Sequence, residues 1–241
     1  MKTATQKIIT LLLVTVLLSS CSAEMFNSIS GNKNVVTENR STKEDFSAIK
    51  INNGLDLYIS QGSKNKIIVE ADENLQEIIK TEVNNGVLKI YAEKNIWRSK
   101  ARKVYVTVKD LESISATSGA EVYTEDTLKL DNLIVGATSG ADVEISVDVN
   151  TIETSATSGA DIEVSGIANN HISSATSGAS IEAYKLRSKN ATARVTSGAD
   201  INLFASETID AKATSGGDID FKGNPKKVDK TSSSGGSVSA K

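Results

Sequence analysis

The 241-residue chain contains one Cys, one His, one Pro and one Trp. A single Cys excludes a disulfide framework and a Cys-rich zinc site. A single His excludes multi-His metal centres, and with no Ser or Cys partner in a recognisable arrangement it makes no catalytic triad. There is no basic excess: 27 Lys and Arg stand against 30 Asp and Glu, a formal charge of −3. Nucleic acid is therefore not expected as a partner, because its phosphates demand a basic face. No apolar run reaches the roughly 20 residues that cross a bilayer as a helix. No nucleotide-binding loop, metal-ligand spacing or paired nucleophile and base is visible, so no cofactor and no enzymatic activity are expected.

What the chain does have begins with an address. Lys2 and Lys7 precede the apolar stretch Ile8 to Leu18, and Leu18-Ser19-Ser20-Cys21 follows. Eleven apolar residues are too few to span a membrane but suit a secretory signal. Leu, two small residues and Cys resemble a bacterial lipobox, which implies cleavage before Cys21, a diacylglycerol thioether on it and an acyl chain on its amine. More than one acyl chain gives a stable anchor. Residues 1–20 thus read as a lipoprotein signal, and the protein as exported and lipid-anchored in the cell envelope, at the outer membrane. Residues 21–44, rich in Ser, Asn, Lys and Thr with poor periodicity, read as a lipidated flexible tether. Without Lys2 and Lys7 the body holds 25 basic against 30 acidic side chains, about −5. As a whole it is not drawn to anionic headgroups.

Internal repetition decides the architecture. Ala-Thr-Ser-Gly-Ala begins at 116, 137, 156 and 175, and looser copies begin at 195, 213 and 232. The glycines, from Gly119 to Gly235, recur every 18 to 21 residues. A helix-pair repeat is longer, and a leucine-rich repeat needs spaced leucines that are missing. Three residues after each Gly stands Val122, Val143, Ile162, Ile181, Ile201, Ile219 or Val238, and a mostly polar residue follows. That alternation is the period of a half-buried strand. The reading is an all-β fold, a parallel β-helix with coils of about 19 residues and glycine at a corner that needs positive φ. Residues 45–115 alternate less regularly and read as wider coils continuous with the rest. Within them Asn74 to Thr81 reads as one or two helical turns. The last coil, near Ala240, offers an open edge that could pair end to end with a second copy, a weak homo-oligomer.

The segments IKINNGLDLYISQG, IVEADENLQEIIKTEVNNGVLKIY and the repeated ATSGADIEV resemble the putative auto-transporter adhesin head GIN domain family, over about residues 45–240. The family's Gly-Ile-Asn signature stands here as Gly54-Leu55-Asp56. The resemblance implies a single-stranded right-handed parallel β-helix over residues 45–241 and a cell-envelope location. It points to a non-catalytic structural or adhesive role, at the cell surface or in the periplasm, toward a glycan or protein ligand. The alternative is a polysaccharide-active β-helix enzyme, a lyase or hydrolase.

Candidate residues follow from the columns. Asp142, Asp161, Asp200 and Asp218 form a carboxylate stripe, a weaker calcium candidate. The residue two after each Asp is polar where a repeat-in-toxin calcium loop needs an apolar one, so the stripe reads first as solvated acidic turns. Thr138, Thr157 and Thr176, within a longer Thr column, offer a hydroxyl array that could match a glycan, or could satisfy backbone groups at the corners. Trp97, with Arg98 and Arg102, lies in the one basic cluster, which reads first as a loop with its Trp packed on the early coils. His171 replaces apolar residues in its column and reads as a tolerated core position.

Overall fold

The computed structural model describes residues 28–42 and 44–241. Its organising unit is the Thr-Ser-Gly turn. Ser118 and Gly119 both have positive φ, 56° and 68°, and the Ala120 N–H donates to the Thr117 carbonyl at 3.3 Å. This is a type I′ turn, which reverses the chain tightly and requires positive φ at both central residues. The turns stack as well. The Gly119 N–H donates to Ser139 O, Gly140 to Ser158 O, Gly159 to Ser177 O and Gly178 to Ser197 O, each at 3.2 Å. The glycines therefore line one edge of a rod.

Between turns the chain forms long strands, Asp142–Thr157, Asp161–Thr176 and Ser180–Thr196, each paired in parallel with the next. Side chains alternate in and out until Asn150-Thr151 and Asn169-Asn170, where two successive residues leave the core and make a second corner. A polar ladder closes that corner. Asn170 Nδ2 donates to Thr151 Oγ1 at 3.4 Å, Asn190 Nδ2 to Asn170 Oδ1 at 3.1 Å, and Thr208 Oγ1 to Asn190 Oδ1 at 2.8 Å. Inside, equivalent residues stack rung on rung. One column runs Val104, Leu57, Val122, Val143, Ile162, Ile181, Ile201, Ile219 and Val238. Each buried Val or Ile contributes about 1.5–3 kcal/mol, and no coil buries its own face without its neighbours. Nine rungs at about 4.8 Å give a rod of about 38 Å.

The N-terminal part departs from simple continuation. The first winding carries strands Ala48–Ile51 and Asp56–Gln61, and it is not the outermost. It is sandwiched between strands Val87–Ala92 and Arg102–Val108 on one side and Ser113–Thr117 and Glu121–Thr124 on the other. The chain thus leaves the first winding, builds a layer beyond it, and returns on the opposite side. That outer layer includes antiparallel strands. Lys66–Asp72 pairs with Arg102–Val108, Val35–Arg40 pairs with Lys66–Asp72, and Ile79–Asn84 forms a hairpin with Val87–Ala92 through Asn85-Gly86. Antiparallel strands close an edge that a bare coil would leave open. Two expectations are corrected by this layer. Residues 28–42 are not the flexible segment expected there, because Ser28–Ser30 and Val35–Arg40 are strands. The helical turns expected from Asn74 shrink to a 3₁₀ turn at Glu73–Leu75, and Ile79–Asn84 is extended to pair in its hairpin.

Asp72 ties the early segment down. Its buried carboxylate accepts the N–H groups of Lys33 at 2.9 Å, Lys100 at 3.1 Å and Ala101 at 3.0 Å. Burial alone would raise its pKa, but these donors outweigh burial and hold it below the usual value.

Candidate functional site

Two outward faces meet at the Thr-Ser-Gly edge, and they differ in chemistry. The face before the turn carries the Thr column. Thr138, Thr157 and Thr176 are register neighbours and half-exposed. Their Oγ1 atoms lie 3.4 Å from the hydroxyls of Ser139, Ser158 and Ser177. Two residues earlier stand Gly136, Ser155 and Ser174, and two earlier again Ile134, Glu153 and Ile172. Ile134 is 54% exposed and Ile172 43%. Because side chains two apart share a face and rungs lie about 4.8 Å apart, these nine positions form a flat field. It has hydroxyls at one margin, small residues in the middle and isoleucines at the other margin, with Glu153 its one charge.

The face after the turn is acidic. Asp56, Glu121, Asp142 and Asp161 occupy successive rungs, then Ser180 interrupts, then Asp200 and Asp218 follow. Asp142 has its pKa raised, first by partial burial and then by the charges of Asp161 and Glu121; Asp200 is raised likewise, by burial and then Asp218 and Asp220. The carboxylates run in single file along the rod and do not converge. Among the described residues no cluster of three or more His, Cys, Asp or Glu side chains is arranged to hold a metal ion.

Beside the acidic column runs an aromatic ladder that sequence reasoning missed. Tyr105, Tyr58 and Tyr123 stack on successive rungs, with ring centroids 5.1 and 5.4 Å apart. The Tyr123 hydroxyl donates to Glu121 Oε2 at 2.8 Å, and this bond, with burial, pushes its pKa up to about 12. The signal lay in the sequence, but positions 58 and 105 are adjacent only because the chain doubles back.

The basic cluster divides. Arg102 turns toward the acidic face, its Nε 3.7 Å from Asp56 Oδ1. Trp97 and Arg98 lie in strand Asn95–Arg98, which pairs in parallel with Ser28–Ser30. The pairing shifts there: Ile29 faces Ile96, Ser30 faces Arg98, and Trp97 is the extra residue of a bulge. A bulge re-aims its side chain. Ile96 packs inward against the core, while Trp97 is 58% exposed. The expectation that Trp97 packs on the first coils is corrected.

His171 lies in the interior, as its column suggested. It is 1% exposed, with Nε2 2.9 Å from Thr154 Oγ1 and Nδ1 without a hydrogen-bond partner. Burial lowers its pKa from 6.5 to about 4. Elsewhere an open cleft of about 690 Å³ is lined by Phe46, Asn65, Gly86 and Lys109 among others. Asn65 spends its amide on structure there, donating to Phe46 O at 3.1 Å and accepting from the Lys109 N–H at 2.9 Å. Cys21 lies outside the described residues. Among the described residues no helix is long and apolar enough to cross a membrane.

Several solved structures share this fold. A putative adhesin from Bacteroides fragilis superposes with a TM-score of 0.83 at 23% identity, covering 88% of this chain and 100% of that one. A putative lipid binding protein from Parabacteroides distasonis gives 0.73 at 20% identity, covering 89% and 99%. A putative adhesin from Parabacteroides merdae gives 0.71 at 18% identity, again covering 89% and 99%. Among curated proteins none matches significantly. The sequence signature described as "Putative auto-transporter adhesin, head GIN domain" matches residues 45–225, and the chain belongs to that family.

Proposed function

We propose that this is a non-catalytic lipoprotein of the bacterial cell envelope, exported, anchored through Cys21 at the outer membrane, whose β-helix presents the Thr face for adhesive contact with a glycan. One observation carries the reading: the flat, nearly uncharged field from Ile134 to Thr176 on a surface otherwise studded with charge. Sugars offer alternating hydroxyls and C–H patches, and the field offers hydroxyls beside exposed isoleucines. The adhesin names borne by similar structures agree in kind. The acidic face supports binding over catalysis, since carboxylates filed along an open surface have no enclosure to exclude water.

A glycan array probed with residues 22–241 tests this. The expected result is binding to a restricted glycan set, unchanged glycans on recovery, and loss of binding in Ser155→Arg, whose long side chain stands in the middle of the field. Release of cleaved products would replace the reading with a polysaccharide-active enzyme. Silence across the array, with folded protein, would overturn the adhesive role and leave a structural one.

A further inference from the structure

The bulged strand around Trp97 sits where the chain enters the fold. Ser28, the first described residue, pairs with Asn95, and the Gly31 N–H donates to Arg98 O at 2.7 Å. Ser28 lies seven residues after Cys21 in sequence, a span of at most about 25 Å. Cations gather around this small sheet. Lys33 and Lys100 are brought together because their N–H groups share the Asp72 carboxylate; Lys94 immediately precedes the strand that carries Trp97, and Arg98 ends it. All four are exposed, and among the described residues none has a carboxylate within ion-pair distance. The nearby acids are otherwise engaged. Glu93 is 3.6 Å from Lys80, Glu73 accepts the side-chain amides of Asn32 and Asn34, and Asp72 is buried against backbone donors. Four exposed cations, unpaired among the described residues, thus make a local basic pole on a body that is acidic overall.

We propose that this pole, with Trp97 at its tip, docks on the phospholipid surface from which the chain is tethered and sets the rod's orientation there. Tryptophan suits the boundary between headgroups and acyl chains, apolar over most of its ring and polar at its N–H. Lys33, Lys94, Arg98 and Lys100 complement anionic headgroups. The tether's reach keeps the patch close to the bilayer. The Thr face then extends up the rod, away from the lipid. The proposal takes the Cys21 anchor from the functional reading, but the patch can be tested without it.

Trp97 is the chain's one tryptophan, so its fluorescence reports this site alone. The core and the residues packed on it lie between Ile29 and Val238, so residues 22–241 are expected to keep the fold without the anchor. Titrated with phosphatidylethanolamine–phosphatidylglycerol vesicles at low salt, this chain is expected to show a blue shift of Trp97 emission and quenching by brominated acyl chains. Each cation reversed, in Arg98→Glu and Lys100→Glu, is expected to weaken partitioning at least about fivefold. Trp97→Ala, at an exposed position, is expected to weaken flotation with the vesicles while its melting stays unchanged. Emission that stays unshifted and open to aqueous acrylamide would overturn the proposal. So would preference for a soluble acidic polysaccharide over the vesicles. The mass of the N-terminal peptide from cells reports acylation of Cys21 separately, so a missing anchor and an inert patch give different results.

Discussion

His171 gives a sharp test of the stacked core, because it is the chain's one histidine and is fully buried. An unfolded chain takes up a proton at this ring near pH 6.5, the folded chain only near pH 4. The stability tied to the neutral ring is therefore whole above pH 6.5, declines as the pH falls from there toward 4, and changes no further below. The full gap corresponds to about 3 kcal/mol, and by pH 4.5 to about 2.5 kcal/mol. Carboxylates also titrate near the bottom of this window, with both signs. Asp72 and Asp210 are held below the ordinary value and lose stability only under about pH 4, whereas Asp142 and Asp200 are raised and act the opposite way. The comparison must therefore be made against His171→Ile, which matches Ile152 and Ile209 in the same column. Denaturant melts of both proteins at pH 7.5 and 4.5 are expected to show the parent losing about 2.5 kcal/mol more than the variant. An NMR titration of the imidazole C–H signals is expected to show no protonation of the folded protein at pH 6. A ring that titrates near 6.5, or equal acid losses in the two proteins, would refute the placement of His171 between stacked coils.

Two further tests address the turns and the end of the rod. Gly159→Ala meets open space but sits at φ 68°, and about 1 kcal/mol of destabilisation is expected; in Gly166→Ala, at φ 112°, the new Cβ would lie 1.9 Å from Val147 O, and calorimetry is expected to show a loss of about 3 kcal/mol or more. Equal melting temperatures would contradict the difference in geometry. Lys230 occupies the column filled by buried Ala193 and Ala211 in the preceding coils, and a charge in a core-facing position protects an open edge. Lys230→Val is expected to self-associate in sedimentation velocity at concentrations where the parent is monomeric, and an unchanged monomer would sink this account of the edge.

The repeated coils were legible because every copy needs the same two things. The turn needs residues that accept positive φ, and the next rung needs an apolar residue three positions on. Both requirements are local, so they show as a period. The N-terminal layer obeys the same physics without the period. Asn53-Gly54 makes the same turn as Thr-Ser-Gly, and its Gly54 N–H joins the turn ladder at Ser118 O, 3.0 Å away. Its neighbour in space is 65 residues further along the chain, so no spacing links the two. Strand Val35–Arg40 was hidden for a related reason. It lies in a polar stretch and is held by antiparallel pairing to Lys66–Asp72, a partner that alternation cannot name. The Thr face could be read from the sequence, but its flatness could not, since that depends on Gly136, Ser155 and Ser174 falling into register.

The fold also explains how one rod can carry three unlike surfaces. Register is set from inside, by the apolar columns and the turn ladder, so an outward position can change without moving its neighbours. The Thr field, the acidic file and the basic pole are each consistent with the same interior. They differ in what desolvation costs. Stripping water from a row of carboxylates is expensive without counter-charges, whereas hydroxyls and isoleucines can trade water for a ligand at small loss. The adhesive contact proposed above therefore falls to the Thr face, and the acidic file would stay toward solvent, where it would discourage rods from packing side by side. Docked by the basic pole, as proposed, the rod would hold the rungs nearest the C-terminus about 38 Å from the lipid. The Thr field occupies the middle rungs and would then be clear of the membrane on one side and of the Lys230 edge on the other.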